Sequence, residues 1–450
     1  PVEFNIDQLD AGSYMRIKAA DEKHPTVIND DEPCNDITDT LNVLDYHWVL
    51  ETSGVNNFTG NASMKYYPDD VLIDNSLTGT SYDISDYSTA RLLRNSVDWN
   101  KYDASSFDES NELLMFYFTS TDDNGVSGDY TAGIEDQSGS CEGAIPDQVP
   151  TYITTTDGIW GDGSIWDTYP TSGGAVPAGG PRGASVIVAH DVSMTNNYKV
   201  SYKTEIQETG NLSVGSTFGH RLGEVTGQGT LSLLRGDLPA GVYDEFLSAS
   251  GGTLEYGGSD SYDVLSENTF VNNLRFVGTG ERRLPNLSIQ AYGDIELNGP
   301  TLVNEHSRTF SLNGDFIFDS GVFDAGTGSD AKLVLNGNAT QNIGGLSDYS
   351  QSNNSSLNHL EVNNSAGVVV DSDVEIGESL ILTDGVVNNN LGNRFAVLSY
   401  DAGSVSGGSA SSYVSGPFEK SVNTGGSFAF PVGADGRYGE ITLSETGTTS

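Results

Sequence analysis

Basic residues are scarce in this chain. Twenty Lys and Arg stand against 63 Asp and Glu, for a formal net charge of −43. A surface this negative repels nucleic acid, anionic lipid and acidic polysaccharide at long range, and it attracts divalent cations. Plain solubility accounts for the excess; bound Ca2+ is the functional use it would serve. Cysteine is nearly absent, with Cys34 and Cys141 alone. Neither has a metal-ligating companion at close spacing, which argues against a zinc site. In an exported protein the pair is expected to form one disulfide, tying an early loop to the end of the first domain; two free thiols are the alternative. No apolar run approaches the roughly 18 residues of a spanning helix, so no membrane insertion is expected. The first residues carry neither a basic nor an apolar leader region. The expectation is a leader already removed, or an internal piece of a longer protein.

Helix-period patterns are missing too, and proline is held to 14 residues against 54 glycines. What fills the chain is short alternating runs separated by Gly, Asn, Ser and Asp, an all-β pattern. Residues 1–135 carry runs with large aromatics: "HWVLETS" (47–53), "ASMKYYP" (62–68), "TARLLRN" (89–95) and "LLMFYFTS" (113–120). This spacing predicts an antiparallel, Ig-like β-sandwich. Residues 136–156, rich in Gly, Ser and Pro, read as a linker. From 157 to 415 the texture tightens. In "LEVNNSAGVVVDSDVEIGESLILTDGVV" (360–387) apolar triplets recur every six to eight residues. That is too tight for hairpins and fits a chain that turns a corner every few residues. A right-handed parallel β-helix, or β-solenoid, is the expected fold, with about 20 residues per coil and on the order of 12 coils. Trp160, Trp166 and Tyr169 in "GIWGDGSIWDTYP" are bulky enough to cap its open end; the rival use is as stacking platforms for glycans. Residues 416–450 read as strands that start a next module. The alternating segment "YGEITLS" (438–444) and the segment "SYMRIKA" (13–19) at the other end look like parts of one kind of sandwich cut open. The expectation is that 416–450 pack against 1–135 of a neighbouring copy, whether covalently in tandem or by strand addition between subunits.

These motifs resemble a known family. "GIWGDGSIWD" followed by "ASVIVAHDVSM" is similar to the opening of solenoid modules in very large, repetitive cell-surface proteins of Bacteroidetes. "SSYVSGPFEKSVNTGGSFAFPVGADGRYGEITLS" resembles their module end, and "YYPDDV" (66–71) echoes a strand-end motif of their sandwiches. The resemblance covers residues 157–450 best. It implies secretion by the type IX route, an extracellular or bacterial cell-surface location, and an adhesin-like or filament-forming role in cell adhesion, without enzymatic activity.

Residues that could carry chemistry are few. No two of the six histidines lie three to five apart, so no helical zinc motif exists. "GSCEG" (139–143) copies a nucleophile elbow but sits in the linker, without the strand-to-helix setting such an elbow needs. "DDNGVSGD" offers Asp122, Asp123, Asn124 and Asp129 around two glycines, hard oxygen ligands suited to calcium on a tight loop; a solvated turn is the alternative. A polysaccharide-degrading β-helix enzyme would need grouped carboxylates beside a base, and nothing singles out a pair among 63 acids. The expected function is a structural or adhesive unit of a surface fibre, partnered by copies of itself. A carbohydrate-binding array that takes surface glycans is the competing reading.

Overall fold

The computed structural model describes residues 2–21, 24–27, 43–67, 84, 87–93, 99–102, 107–118, 127–133, 149–264, 269–350, 355, 357–389, 391–423 and 426–444. Strand makes up 51% and helix 4%, so the fold is all-β as the alternating pattern predicts. Contacts divide the chain into two units. One holds residues 1–187, 196–204 and 219–224; the other holds 188–195, 205–218 and 225–450.

The first unit opens with a seven-stranded sheet. Its strands are β1 (Val2–Ala20), β2 (His47–Lys65), β3 (Ser88–Leu93), β4 (Trp99–Tyr102), β5 (Phe107–Asp108), β6 (Leu113–Phe118) and β7 (Gly128–Gly133), in the order β4-β3-β7-β2-β6-β5 with β1 on β2. Strand β2 is long enough to serve both halves. It pairs with β7 through Trp48–Leu50 and with β6 through Gly60–Lys65, antiparallel in each case. The halves close over one core, in which Leu50 and Met64 of β2 meet Leu114 and Phe116 of β6 and Tyr130 and Ala132 of β7. The Phe116 and Tyr130 rings stand edge to face at 5.1 Å, which brings β6 and β7 together across the core as in a sandwich.

Two differences from the sequence reading have one cause. The runs at 47–53 and 62–68 belong to a single strand, because β1 pairs along the polar stretch between them, Leu9 with Val55 and Val2 with Ala62. Backbone partners from a distant strand override a local turn preference. Strand β1 likewise extends beyond 13–19. A register shift between Leu9 and Tyr14, with Gly12 at φ +88°, forms a bulge that re-aims the strand. The other edge of β1 has no strand beside it among the described residues.

Within 136–156, Thr151–Thr154 is a strand, not a linker. Its β-branched and aromatic residues pair antiparallel with Trp166–Thr168 and parallel with Ser185–Ile187.

A β-solenoid of about 11 turns occupies residues 185–433. In the second unit its registers are long columns. Leu212, Leu231, Leu254, Leu274, Ile295, Phe316, Ile343 and Val370 follow one another on successive parallel strands. On another face run Ile289, Phe310, Leu333, Leu360, Leu380 and Val405. Every member of both columns from Leu212 to Leu380 is buried. Burying like residues on like makes each coil the floor of the next, which is how a chain with an economical core stays folded.

Corners are tied as well. Asn273 Oδ1 accepts from the Asp294 backbone N–H at 2.9 Å, Asp294 Oδ1 from that of Asp315 at 2.8 Å, and Asp315 Oδ1 from that of Asn342 at 2.7 Å. Of residues 416–450, Glu419–Lys420 adds to Phe395–Val397 and Val432–Ala434 adds to Val414–Ser415, both in parallel. The "FPVG" segment therefore continues the solenoid past the boundary expected at 415. Ser427–Phe430 and Ile441–Ser444 form a separate antiparallel pair.

Candidate functional site

Of the expected calcium ligands, Asp122, Asp123 and Asn124 lie outside the described residues, as do Cys34 and Cys141. Asp129, on β7, is already engaged: its Oδ2 lies 3.0 Å from His24 Nε2. The Thr26 backbone N–H donates to His24 Nδ1 at 3.3 Å, which leaves the imidazole proton on Nε2, facing Asp129. His24 is buried, ringed by His47, Trp99 and Tyr202 at centroid distances of 5.0, 4.9 and 5.4 Å. The carboxylate thus completes a packed polar core. Among the described residues no group of three or more His, Cys, Asp or Glu side chains is arranged to hold a metal.

Trp160 and Trp166 do not present open faces. Both are buried, edge to face at 5.2 Å; Trp166 Nε1 donates to the Trp160 carbonyl and Trp160 Nε1 to that of Pro181. Their faces and their N–H groups are spent inside the unit. Tyr169 is half exposed.

The adjacent pair Arg282–Arg283 is structural. Arg282 is buried and donates to the carbonyls of Asp260, Gly257 and Gly258, with its guanidinium 4.3 Å from the Tyr262 ring centroid. Burial of that ring pushes the Tyr262 hydroxyl up to about 12. Arg283 bonds Asp263 and Glu281 at the surface. His359 Nδ1 lies 2.7 Å from Ser379 Oγ on the next coil, and burial holds the imidazole below the usual histidine range. A hydrolytic triad would need a carboxylate bonded to that imidazole; none is among the described residues, and Glu378 acts on it only through charge.

One corner of the first unit went unnoticed in the sequence. Gly183 N–H donates to the Val200 carbonyl, which sets "PRG" (181–183) beside "YKV" (198–200) on the next coil. Lys199 is clamped at its backbone, with its N–H donating to His220 Nδ1 at 3.2 Å and its carbonyl accepting from Arg221. Its ammonium comes within 3.4 Å of where a Gly161 side chain would begin, with Asn196 Nδ2 at 3.8 Å from the same point. Arg182 Nη2 lies 3.8 Å from the corresponding point on Gly179. Burial, and then the neighbouring Arg182 guanidinium, press the Lys199 ammonium below the usual lysine range. Tyr198 stands beside it at φ +59°, its ring against Gly219 and 68% exposed. In the sequence only Arg282 and Arg283 stand side by side as a basic pair. The pair at 182 and 199 becomes neighbours through coil register.

Two apolar edges remain. On β1, Ile17 is half exposed, although Met15, two residues before it on the same side of the strand, packs on the sandwich core. On the terminal hairpin Phe428 is buried, while Leu443, paired beside it, is 57% exposed and Ile441 is 55% exposed. No family model, no curated protein and no solved structure matches this chain.

Proposed function

We propose that the chain is a structural, adhesive unit of an extracellular bacterial surface fibre, non-enzymatic, whose neighbours are further copies of itself. The observation that carries this is the pair of uncovered edges. Among the described residues, strand β1 pairs on one side only, and the hairpin Ser427–Phe430 with Ile441–Ser444 is a two-stranded sheet with Ile441 and Leu443 turned to water. A two-stranded hairpin is marginal alone, and a long free edge is a template for another strand. Strand addition between copies would cover both apolar surfaces and continue a sheet from copy to copy.

Sedimentation of the full chain across a concentration series tests this. Association is expected, and Leu443→Lys or Ile17→Lys should each weaken it without lowering the melting temperature. A chain that stays monomeric at every concentration, or variants that associate as well as the parent, would refute the reading. Calcium on the acidic loop at Asp122, Asp123 and Asn124 belongs to the same proposal. It predicts a lower melting temperature in EDTA, and an unchanged one removes it.

A further inference from the structure

We propose that the corner carrying Tyr198, Lys199 and Arg182 binds an acidic oligosaccharide. The Lys199 ammonium and Arg182 guanidinium would meet a sugar carboxylate, and the Tyr198 ring would lie under a sugar face. A fibre unit that never touched sugar would still satisfy the function proposed above, so the two ideas fail separately.

Several cations of the chain are matched by acids: Lys332 with Glu361, Arg283 with Glu281 and Arg394 with Glu419, each within 2.9 Å. The Lys199 ammonium has no hydrogen-bond or ion-pair partner among the described residues. A half-buried ammonium beside a guanidinium, with 63 acids available in the chain, is an uncompensated cost unless an anion arrives to offset it. The nearest acid along the chain to Gly161, Asp162, is engaged elsewhere: its Oδ1 accepts from the Ser164 N–H and hydroxyl, and those bonds hold its carboxyl below the usual range.

At Gly161 a side chain would meet the Lys199 ammonium at 3.4 Å, and at Gly179 only Arg182 Nη2 comes near, at 3.8 Å. At Gly161 the absent side chain leaves room before the Lys199 ammonium, bordered by the Gly179 carbonyl oxygen at 3.6 Å and the Asn196 amide donor at 3.8 Å. A tyrosine at φ +59° adopts a conformation that costs a bulky side chain about 1–2 kcal/mol and that glycine takes freely. Retaining a ring there, against Gly219 and 68% exposed, suits a stacking surface. The net charge of −43 slows the approach of an acidic ligand but does not govern contact, since screening limits its reach to about 8 Å at physiological salt.

The test is calorimetric titration of the full chain, in EDTA to prevent calcium bridging, with three probes: a sodium oligogalacturonate, a neutral oligogalactoside of equal length, and sodium acetate. Binding is expected for the oligogalacturonate alone. Lys199→Gln should weaken it about tenfold, the worth of one charge-assisted bond. Tyr198→Gly should weaken it several-fold while leaving the melting temperature equal or higher, because glycine accepts that φ; this variant keeps the result clear of misfolding. No oligogalacturonate binding, equal binding by both variants, or equal binding of the neutral sugar would overturn the proposal. Acetate binding as tightly as the oligosaccharide would overturn it too, leaving the corner an isolated anion site. Loss of self-association in Lys199→Gln would reassign it to a carboxylate of a second copy.

Discussion

Arg282→Met removes a guanidinium that fastens one corner of the solenoid. Three carbonyls lose a donor: Asp260 at 2.6 Å, Gly257 at 2.8 Å and Gly258 at 2.9 Å, the last on a residue at φ +90° that only glycine occupies easily. The Gly257 carbonyl is buried but keeps the Tyr262 hydroxyl, which donates to it at 2.7 Å, and water reaches the other two in part, so each lost bond is worth about 1 kcal/mol. The cation–π contact with Tyr262 adds about 1 kcal/mol. Against this stands relief from burying a charge. The net is about 2–4 kcal/mol, carried by two or three coils because each coil touches only its neighbours. Amide hydrogen exchange on the full chain reads this directly. Protection should fall about 30- to 1,000-fold in Thr253–Tyr256 and Asn273–Val277 and stay level in Val368–Val370. Arg283→Met, at the surface, should leave all three segments as they were, and Arg282→Lys should fall between, since an ammonium lacks the planar fork. Equal exchange in the 282 and 283 variants, or loss spread evenly to 368–370, would refute the reasoning.

Three further outcomes follow from side-chain environments. Asp371 is raised by burial and by Asp315, so its folded form binds a proton more tightly than the unfolded chain does. Stability is then lost as pH rises through its folded pKa, and Asp371→Asn should raise the melting temperature at neutral pH with a gain that vanishes in acid; a gain at low pH would contradict this. Glu419 is lowered by its hydrogen bonds from Arg394, the opposite case, in which stability is present above the ordinary carboxylate range and lost as pH falls through the folded value. Arg394→Gln should flatten that acid limb of a melting profile, and an unaltered limb would count against it. Asp129→Ala strands the His24 Nε2 proton in the core and should cost about 1–3 kcal/mol in a urea melt, whereas Asp129→Asn, still offering an oxygen, should recover most of that.

How far the sequence can be read depends on where each signal lies. Solenoid columns are written locally: LEV, VVV, VEI and LIL each contain their own inward residues, so the coil spacing is legible in the order of residues alone. Strand β2 is not, because residues 53–61 are extended only by pairing with β1 and β6. The two indoles stand out as large aromatics, but whether they pack inward or outward is decided by the carbonyls of Trp160 and Pro181, which no local pattern places. Asp129 looks like a free acidic loop residue because its partner, His24, is 105 positions away. The Tyr198 corner is hidden for a related reason. Its parts lie at 161, 179, 182, 196 and 199, and only the register of successive coils makes them neighbours.

The corner ladder through Asn273, Asp294, Asp315 and Asn342 has a bearing on how such a chain can change length. Its first two rungs are each 21 residues apart, and each rung answers only the one before and the one after. Excising 21 residues would set Asn273 against Asp315 with every donor again matched, whereas excising one from within a strand would put that strand out of register with its neighbours. Heritable variation in this part of the molecule is therefore quantised: whole coils can be gained or lost at little energetic penalty, and the distance between whatever lies at the two ends changes in steps of one sheet spacing, about 4.8 Å.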